Sequence, residues 1–292
     1  MENKNFKSYI SIAIVIAIGA LIALAGSQGS TKLGEFKLYA IAVIMAFVIQ
    51  WVVFIPSYLN RTEKYFDLTG SLTYISVTLV AVLISPVKDF RSIVLLILVT
   101  IWALRLGLFL FTRIQAAGED RRFRELKTSF PKFLLTWTLQ GLWVTLSLAA
   151  ALSVITSATR VGFDKFALIG IVIWIIGFTL EVIADQQKRV FRTDPANKGK
   201  FINNGLWSWS RHPNYFGEIV LWVGIAIIAL PVLSGWQWAT LISPLFVTIL
   251  LTKISGVPML EKRADEKWGG QADYETYKKN TSVLIPIRSK GK

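Results

Sequence analysis

The chain has 292 residues, of which 53% are hydrophobic, and it carries a formal net charge of +14 with one histidine and no cysteine. The lack of cysteine excludes disulfides, thiolate nucleophiles and cysteine-ligated metal centres, and a single histidine argues against a multi-histidine site, so we expect no metal.

Apolar runs long enough to cross a bilayer recur along most of the chain. They predict an all-α, polytopic transmembrane bundle of about eight helices, because open sheets cannot satisfy their edges in lipid. The predicted spans are Ser8–Ala25, Leu38–Ile55, Leu68–Ser85, Ser92–Phe111, Phe133–Thr156, Phe166–Ala184, Asn214–Leu230 and Trp236–Thr252. The charged, amphipathic stretch from Lys253 onward predicts a cytosolic interfacial segment that closes a pocket.

Lysines and arginines in the loops predict the orientation of these spans. With both termini in the cytosol, the inner segments hold 25 of the 32 basic residues and the outer loops hold 6. We therefore predict a multi-pass protein with both ends cytoplasmic, as in a bacterial inner membrane. Topology and anionic headgroups account for most of the positive charge, so nucleic acid is not an expected partner. Whether the first span is a cleaved signal peptide stays open.

Two spans in the first half carry charged residues at positions that are otherwise apolar. Asp67 opens the third span, where it caps the helix or takes part in chemistry, and Tyr74 follows seven residues later. Arg105 lies inside the fourth span, eight residues before Arg113 and on the same face. A buried arginine needs an anionic partner, which is either a nearby carboxylate or the phosphate of a bound cofactor.

The end of the sixth span has four charged residues on one helical stripe. Glu181, Asp185, Lys188 and Arg192 follow one another at intervals of four, three and four. They form either acid–base pairs on a solvated helix end or one wall of a binding cleft, in which carboxylates accept hydrogen bonds and the cations meet phosphates.

The stretch Gly205-Leu-Trp-Ser-Trp-Ser-Arg-His-Pro-Asn-Tyr-Phe-Gly-Glu218 contains the single histidine of the chain. Pro213 suits the first turn of a helix, and Asn214 and Glu218 then share one face of it. Arg211 and His212 precede this helix directly. The crowding of these polar residues at an apolar helix end predicts a cytosol-facing ligand pocket, the alternative being an interfacial anchor with Glu218 paired to a neighbouring helix.

Five motifs together resemble the bacterial DUF1295 family, in the membrane superfamily of steroid 5-alpha-reductases and sterol reductases, with isoprenylcysteine methyltransferases as more distant relatives. The motifs are Trp102-Ala-Leu-Arg105-Leu, Gly118-Glu-Asp, Glu181…Asp185-Gln-Gln-Lys188, the stretch Gly205–Glu218, and Gly256-Val-Pro-Met-Leu-Glu261. The resemblance runs from about Asp67 to Pro286. It implies a reductase-like domain over residues 67–292, which follows two N-terminal helices in residues 1–66.

The resemblance implies a membrane reductase that binds NADPH from the cytosol and reduces a C=C bond of a lipophilic substrate. The cofactor-binding candidates are Arg105, Arg113, Glu181, Asp185, Lys188, Arg192, Arg211, His212 and Asn214. The catalytic candidates are Glu218, Tyr215, Asp67 and Tyr74. Trp102 stands where the steroid enzymes have a proton-donating tyrosine, and an indole N–H is no practical acid. Two other functions remain open, an S-adenosylmethionine-dependent membrane methyltransferase and a lipid-binding protein without catalysis.

Overall fold

The computed structural model describes residues 2–287, except for the side chains of residues 2–4, 116, 117 and 121. Ten α-helices lie in this range, and two short strands form an antiparallel hairpin between the first two helices. The helices are α1 Glu2–Gly26, α2 Leu38–Leu59, α3 Phe66–Ile84, α4 Phe90–Ala117, α5 Phe130–Ile155, α6 Lys165–Thr193, α7 Pro213–Ala229, α8 Ile242–Ile249, α9 Val257–Trp268 and α10 Ala272–Asn280. The strands are β1 Lys32–Leu33 and β2 Phe36–Lys37. The predicted all-α polytopic bundle is confirmed.

Seven helical segments of the described chain are long and apolar enough to cross a membrane. They are Asn5–Gly26, Leu38–Leu59, Phe66–Ile84, Phe90–Gln115, Phe130–Ile155, Lys165–Thr193 and Gly235–Trp268. Helix α7 is apolar but has 17 residues, about 26 Å at 1.5 Å per residue, against a hydrocarbon core of about 30 Å. The protein is therefore a multi-pass membrane protein, while eight crossings, the cytosolic ends and the division at residue 66 stay predictions.

The chain forms two compact units, and the first contains the residues up to Ala167 together with Ile228–Ser243. Helix α5 is its centre and packs against α1, α2 and α3. Every residue of α5 from Val144 to Ile155 is buried. At the other end of α5, Phe133 and Trp137 join an aromatic cluster with Phe54, Phe66 and Phe123. This unit is thus built around a helix whose C-terminal half is fully buried.

The buried side chain of Arg91, at the start of α4, has partners within the first unit. The Arg91 side chain is fully buried; its Nε donates to the Val161 carbonyl at 3.0 Å and its Nη1 to the Ile228 carbonyl at 2.7 Å. Its Nη2 lies 2.5 Å from Oδ1 of Asp164. Arg91 therefore ties three separate stretches of the chain together.

The second unit contains Leu168–Ile227 and the residues from Pro244 onward. Its two longest elements, α6 and α7, approach each other through glycines. A Cβ on Gly177 would lie 2.5 Å from the Leu221 nitrogen, and one on Gly217 would lie 2.6 Å from the Glu181 nitrogen. Gly224 meets the Trp174 backbone in the same way, at 2.7 Å. Small residues that let helix backbones approach are typical of membrane helix pairs.

Helix α6 continues nine residues beyond the predicted end at Ala184. Asp185, Lys188 and Arg192 consequently lie on a regular helix, as their spacing predicted. The proposed cap of α3 is wrong in detail, since α3 begins at Phe66 with Tyr65 at its N-cap and no side-chain cap bond. Asp67 lies in the first turn instead, with its Oδ2 3.8 Å from Nη2 of Arg113.

Candidate functional site

A cavity of about 320 Å³ lies in the second unit, and we call it the basic cavity. It is lined by Lys188, Phe191, Arg192, Lys200, Phe201, Ile202, Trp207, Arg211, His212, Leu260, Glu261, Arg263, Ala264, Lys267, Trp268, Tyr274 and Tyr277. Six of these described lining residues are lysines or arginines, six are aromatic and one is a carboxylate. Such a lining favours an anionic ligand that carries a flat ring.

The turn after α6 fixes the aromatic wall of the basic cavity. Gly205 has a φ of +57°, which favours glycine, and a Cβ there would lie 2.6 Å from the Gln187 side-chain amide and would displace it. Gln187 Oε1 accepts a hydrogen bond from the Leu206 nitrogen at 2.9 Å. The Trp207 indole then donates to the Ala184 carbonyl at 3.0 Å. The Lys188 ammonium lies 4.4 Å from the centre of the Trp207 ring, a cation–π contact.

The arginine and histidine that precede α7 share one carboxylate from α9. Glu261 Oε1 lies 2.8 Å from His212 Nε2, and Glu261 Oε2 lies 3.0 Å from Arg211 Nη1. The His212 ring is buried and runs parallel to that of Tyr215, with 5.7 Å between the centroids. Burial lowers the pKa of His212, the hydrogen bond to Glu261 opposes this, and the charges of Lys188 and Arg211 lower the pKa further. The neutral imidazole is therefore the favoured form in the fold.

An irregular turn brings Glu261 to this position. Residues Leu250–Ile254 form a π-helical turn, and Gly256 follows before α9 begins. A Cβ on Gly256 would collide with the Leu251 carbonyl and would lie 2.9 Å from the Tyr215 ring. The chain needs glycine here to turn tightly against α7, and α9 then starts with Glu261 facing His212.

The C-terminal segment holds the floor of the basic cavity. The Tyr277 hydroxyl donates to the Trp207 carbonyl at 2.7 Å, and the Arg211 nitrogen donates to the Ser282 carbonyl at 2.8 Å. The Phe201 ring packs against the rings of Tyr274 and Tyr277, each with 5.3 Å between centroids. The tail was predicted to close the pocket, and its residues between Leu260 and Tyr277 contribute to the lining of this cavity.

A polar pair joins α6 and α7, formed by two residues that do not line the basic cavity. Asn214 Nδ2 donates to Asp185 Oδ1 at 3.0 Å. The amide oxygen of Asn214 is buried and accepts no hydrogen bond from the described residues. Because a buried oxygen without a donor is costly, this atom is a ready acceptor for a ligand N–H.

The family model described as "Protein of unknown function (DUF1295)" matches residues 51–281. The chain belongs to the DUF1295 family. This DUF1295 protein is also 28% identical to the rat (Rattus norvegicus) 3-oxo-5-alpha-steroid 4-dehydrogenase 1 over 121 residues. The aligned segment covers 41% of each chain. It is 27% identical to the Arabidopsis thaliana steroid 5-alpha-reductase DET2 over 121 residues. That alignment covers 41% of this chain and 40% of the relative.

A third relative has a different activity in its name. The probable O-methyltransferase ustE of Ustilaginoidea virens is 33% identical over 70 residues, 24% of this chain and 25% of the relative. The DUF1295 protein thus spans less than half the length of these curated relatives. No solved structure matches it significantly. The predicted resemblance to the DUF1295 family and the steroid 5-alpha-reductases is confirmed.

The DUF1295 protein brings four of the predicted cofactor residues into one cavity. Lys188, Arg192, Arg211 and His212 all line it. Asp185 and Asn214 form the polar pair between α6 and α7. The other predicted residues of the second unit are on the same two helices, with Glu181 buried on α6 and Tyr215 and Glu218 half-buried on α7.

Four predicted residues belong to the first unit. Asp67 and Arg113 face each other near the cytosolic ends predicted for α3 and α4. Tyr74 packs edge-on against Trp102, with 5.0 Å between ring centroids, and its hydroxyl lies 3.5 Å from the Trp143 carbonyl. Arg105 is half-buried on α4. These residues remain candidates within that unit.

Several residues that line the basic cavity were not among the predicted site residues. The most informative is Glu261, because it contacts both Arg211 and His212. The Gly256-Val-Pro-Met-Leu-Glu261 motif had singled it out without assigning it a partner. Trp207, Lys200, Arg263 and Lys267 were also missed, and the signal for them was the mixture of aromatic and basic residues in the segments that flank α7.

Proposed function

We propose that this protein is a membrane-embedded, NADPH-dependent reductase that acts on a C=C bond of a lipophilic, steroid- or isoprenoid-like substrate. The basic cavity carries the proposal, since it combines six cationic side chains with aromatic rings and a single carboxylate among its described residues. Guanidinium and ammonium groups bind phosphates, and aromatic faces stack on a nucleobase. A phosphorylated dinucleotide needs both.

The residues present have the chemistry that this cofactor needs. Lys188, Arg192 and Arg211 line the cavity and would hold phosphate. Asn214 does not line it but follows His212 by two residues, and its buried acceptor suits the N–H groups of a carboxamide. NADPH, when bound, supplies a hydride. The aromatic walls would exclude water, and the shared contact of Glu261 with Arg211 and His212 would hold those two side chains in place.

The chain itself must deliver the proton that completes the reduction of an enone. Hydride addition to the β-carbon leaves an enolate, which a general acid protonates. Trp102 cannot play this part. The candidates are the Tyr215, Tyr74, Asp67 and Glu218 side chains, of which Tyr215 lies beside the ring of His212.

The predicted topology supports access of a soluble cofactor from the cytosol. All residues that line the basic cavity fall between Lys188 and His212 or after Lys253, in segments that the distribution of basic residues assigns to the cytosolic side. We propose that both termini are cytoplasmic and that the membrane is a bacterial inner membrane. The substrate would reach the enzyme from the bilayer.

A methyltransferase is the second candidate, favoured by the 70-residue similarity to ustE. S-adenosylmethionine carries no phosphate, and its single carboxylate is offset by an ammonium and a sulfonium, so it has little use for six cations around the cavity. The similarity to the named 5-alpha-reductase and 4-dehydrogenase proteins extends over 41% of the chain. Both observations favour the reductase.

Isotope transfer distinguishes the two reactions. The detergent-purified protein is incubated with a panel of steroid and isoprenoid enones and with NADPH deuterated at the transferred position. We expect a saturated product that carries one deuterium at the β-carbon. Parallel reactions use methyl-labelled S-adenosylmethionine. A methylated product there, with no deuterium transfer from NADPH, would establish the methyltransferase and exclude the reductase.

A further inference from the structure

A second concavity, of about 510 Å³, runs between α1 and α2 in the first unit, and we call it the N-terminal groove. Its size lies within the roughly 300–1,000 Å³ of ligand sites. With the exception of Trp51, its lining residues precede the segment that matches the DUF1295 family. A ligand in the N-terminal groove would therefore be independent of the basic cavity and of the proposed reductase.

Small side chains on α1 leave space for the N-terminal groove, and aromatic rings on α2 close one end of it. Gly19, Ala20 and Ala23 line it on α1. Gly19 is required, because a Cβ there would lie 2.8 Å from the ring of Phe47. The rings of Phe47 and Trp51 lie 5.8 Å apart, and the Trp51 indole is fixed by a 3.1 Å hydrogen bond to Thr138. The lining between these rings and the β1–β2 hairpin is almost wholly apolar, which suits a hydrocarbon chain.

The other end of the N-terminal groove lies at the β1–β2 hairpin, where charged residues gather. Lys37 and Glu35 line the mouth. From Lys37 to Trp51 the helix rises roughly 21 Å, so the groove has a polar end and an apolar end like a membrane lipid. Lys37 Nζ donates to the Ser30 carbonyl at 3.1 Å, which leaves two of its three N–H donors for another acceptor.

The hairpin places two lysines directly opposite each other. Lys32 pairs with Lys37 in the register of β1 and β2. Like charges at such a position destabilise the pairing of two strands. A phosphate bound next to Lys32 and Lys37 would attract both ammonium groups and offset their mutual repulsion. The Glu35 carboxylate at the same mouth would repel the phosphate.

We propose that the N-terminal groove binds one anionic phospholipid, with an acyl chain between α1 and α2 and the headgroup phosphate beside Lys32 and Lys37. The apolar lining favours binding of the acyl chain, and the two lysines favour a negatively charged headgroup. Hydrophobic burial alone would hold any lipid, so a preference for anionic headgroups is the property that distinguishes this site from ordinary contact with the bilayer.

Native mass spectrometry of the full chain in detergent tests this, with phosphatidylglycerol and phosphatidylcholine of identical acyl chains as the two probes. We expect one tightly retained phosphatidylglycerol per chain and weaker retention of phosphatidylcholine. Lys32→Gln and Lys37→Gln should each lower the preference roughly fivefold, the factor that corresponds to ~1 kcal/mol per basic residue. Glu35→Gln should raise it, which a purely structural role of Glu35 does not predict.

Two matched controls accompany these variants. Lys88→Gln makes the same charge change in another exposed loop and should leave lipid preference unchanged. Ala23→Phe fills the groove and should reduce retention of both lipids, whereas Leu21→Phe on the exposed side of α1 should not. Equal retention of the two lipids by the wild type would overturn the proposal. So would an effect of Lys32→Gln and Lys37→Gln no larger than that of Lys88→Gln.

Discussion

Arg91 in the first unit and the basic residues of the cavity in the second differ in what surrounds them. Around Arg91, two carbonyl oxygens and one carboxylate meet a single guanidinium, all from the same unit. The basic cavity has six cationic side chains and one carboxylate, that of Glu261, among its described lining residues. Arg91 has its anionic partner within the fold, whereas the lining of the basic cavity has more cationic than anionic side chains.

This difference separates charge that holds a fold from charge that binds. A buried cation that donates to groups of its own fold stabilises the segments it connects, and its loss leaves buried acceptors without donors. Cations around a cavity repel one another until an anion arrives. Mutations in the first cluster should therefore change stability, and mutations in the second should change ligand affinity.

The largest effect on stability is expected for Arg91→Ala. It leaves the carbonyls of Val161 and Ile228 and the Asp164 carboxylate without their donor, at a cost of ~3–5 kcal/mol in the free energy of unfolding. Titration with a denaturing detergent in mixed micelles measures this. Lys88→Ala, in the exposed loop nearby, is the control and should stay within ~0.5 kcal/mol. An unchanged unfolding free energy for Arg91→Ala would show that the cluster does not stabilise the fold.

A backbone contact in the second unit should give the next largest effect. Gly217→Ala places a Cβ 2.6 Å from the Glu181 nitrogen, and we expect a loss of ~1–3 kcal/mol together with weaker cofactor binding, because α6 and α7 must separate. Gly162→Ala is the control, since no described atom lies within 4 Å of its Cβ position. Helix propensity alone predicts the opposite sign for Gly217→Ala, a gain of ~0.5–1 kcal/mol.

The floor of the basic cavity should respond more weakly. Tyr277→Phe removes the hydrogen bond to the Trp207 carbonyl and should lower the free energy of unfolding by ~0.5–1.5 kcal/mol. Burial raises the pKa of the Tyr277 hydroxyl, so it remains a donor at neutral pH. Tyr65→Phe alters an exposed tyrosine and should have no measurable effect. Equal effects of the two changes would mean that the Tyr277 hydrogen bond does not stabilise the cavity.

The smallest effect concerns pH. Because burial is the main cause that lowers the pKa of His212, the unfolded chain binds a proton at a pH where the folded protein does not. The contribution of His212 is present above the unfolded value of about 6.5 and is lost as the pH falls from there through the lower folded pKa. Unfolding titrations across this range should show that the free energy of unfolding decreases as the pH falls. His212→Gln should make the free energy of unfolding depend less on pH. A wild-type stability that rises on acidification through this window, with His212→Gln removing the rise, would show that the folded state favours the imidazolium.

The sequence allowed the helices to be predicted and left long-range partners unknown, for a physical reason. Apolar runs report the length of a span, and the spacing of Asp185, Lys188 and Arg192 reports one face of one helix. Neither pattern contains the turn at Gly256 that brings Glu261 to His212, 49 residues away in sequence. The close approach of α6 and α7 also depends on which glycines face each other, which no single segment reveals.

Binding of a nucleotide through its phosphates is the property on which the function proposed for the basic cavity depends. Calorimetric titration of NADPH and NADH against the wild type and Arg192→Ala tests it most directly, with Arg189→Ala as control because Arg189 is exposed on the same helix end and does not line the cavity. We propose that Arg192 contacts the 2′-phosphate, which NADH lacks. A charge-assisted contact of this kind contributes ~1.5–3 kcal/mol, so Arg192→Ala should weaken NADPH binding by roughly tenfold to a hundredfold and NADH binding far less. Arg189→Ala should cost at most ~1 kcal/mol for either nucleotide. Failure of the wild type to bind NADPH, or equal effects of Arg192→Ala and Arg189→Ala, would contradict this function.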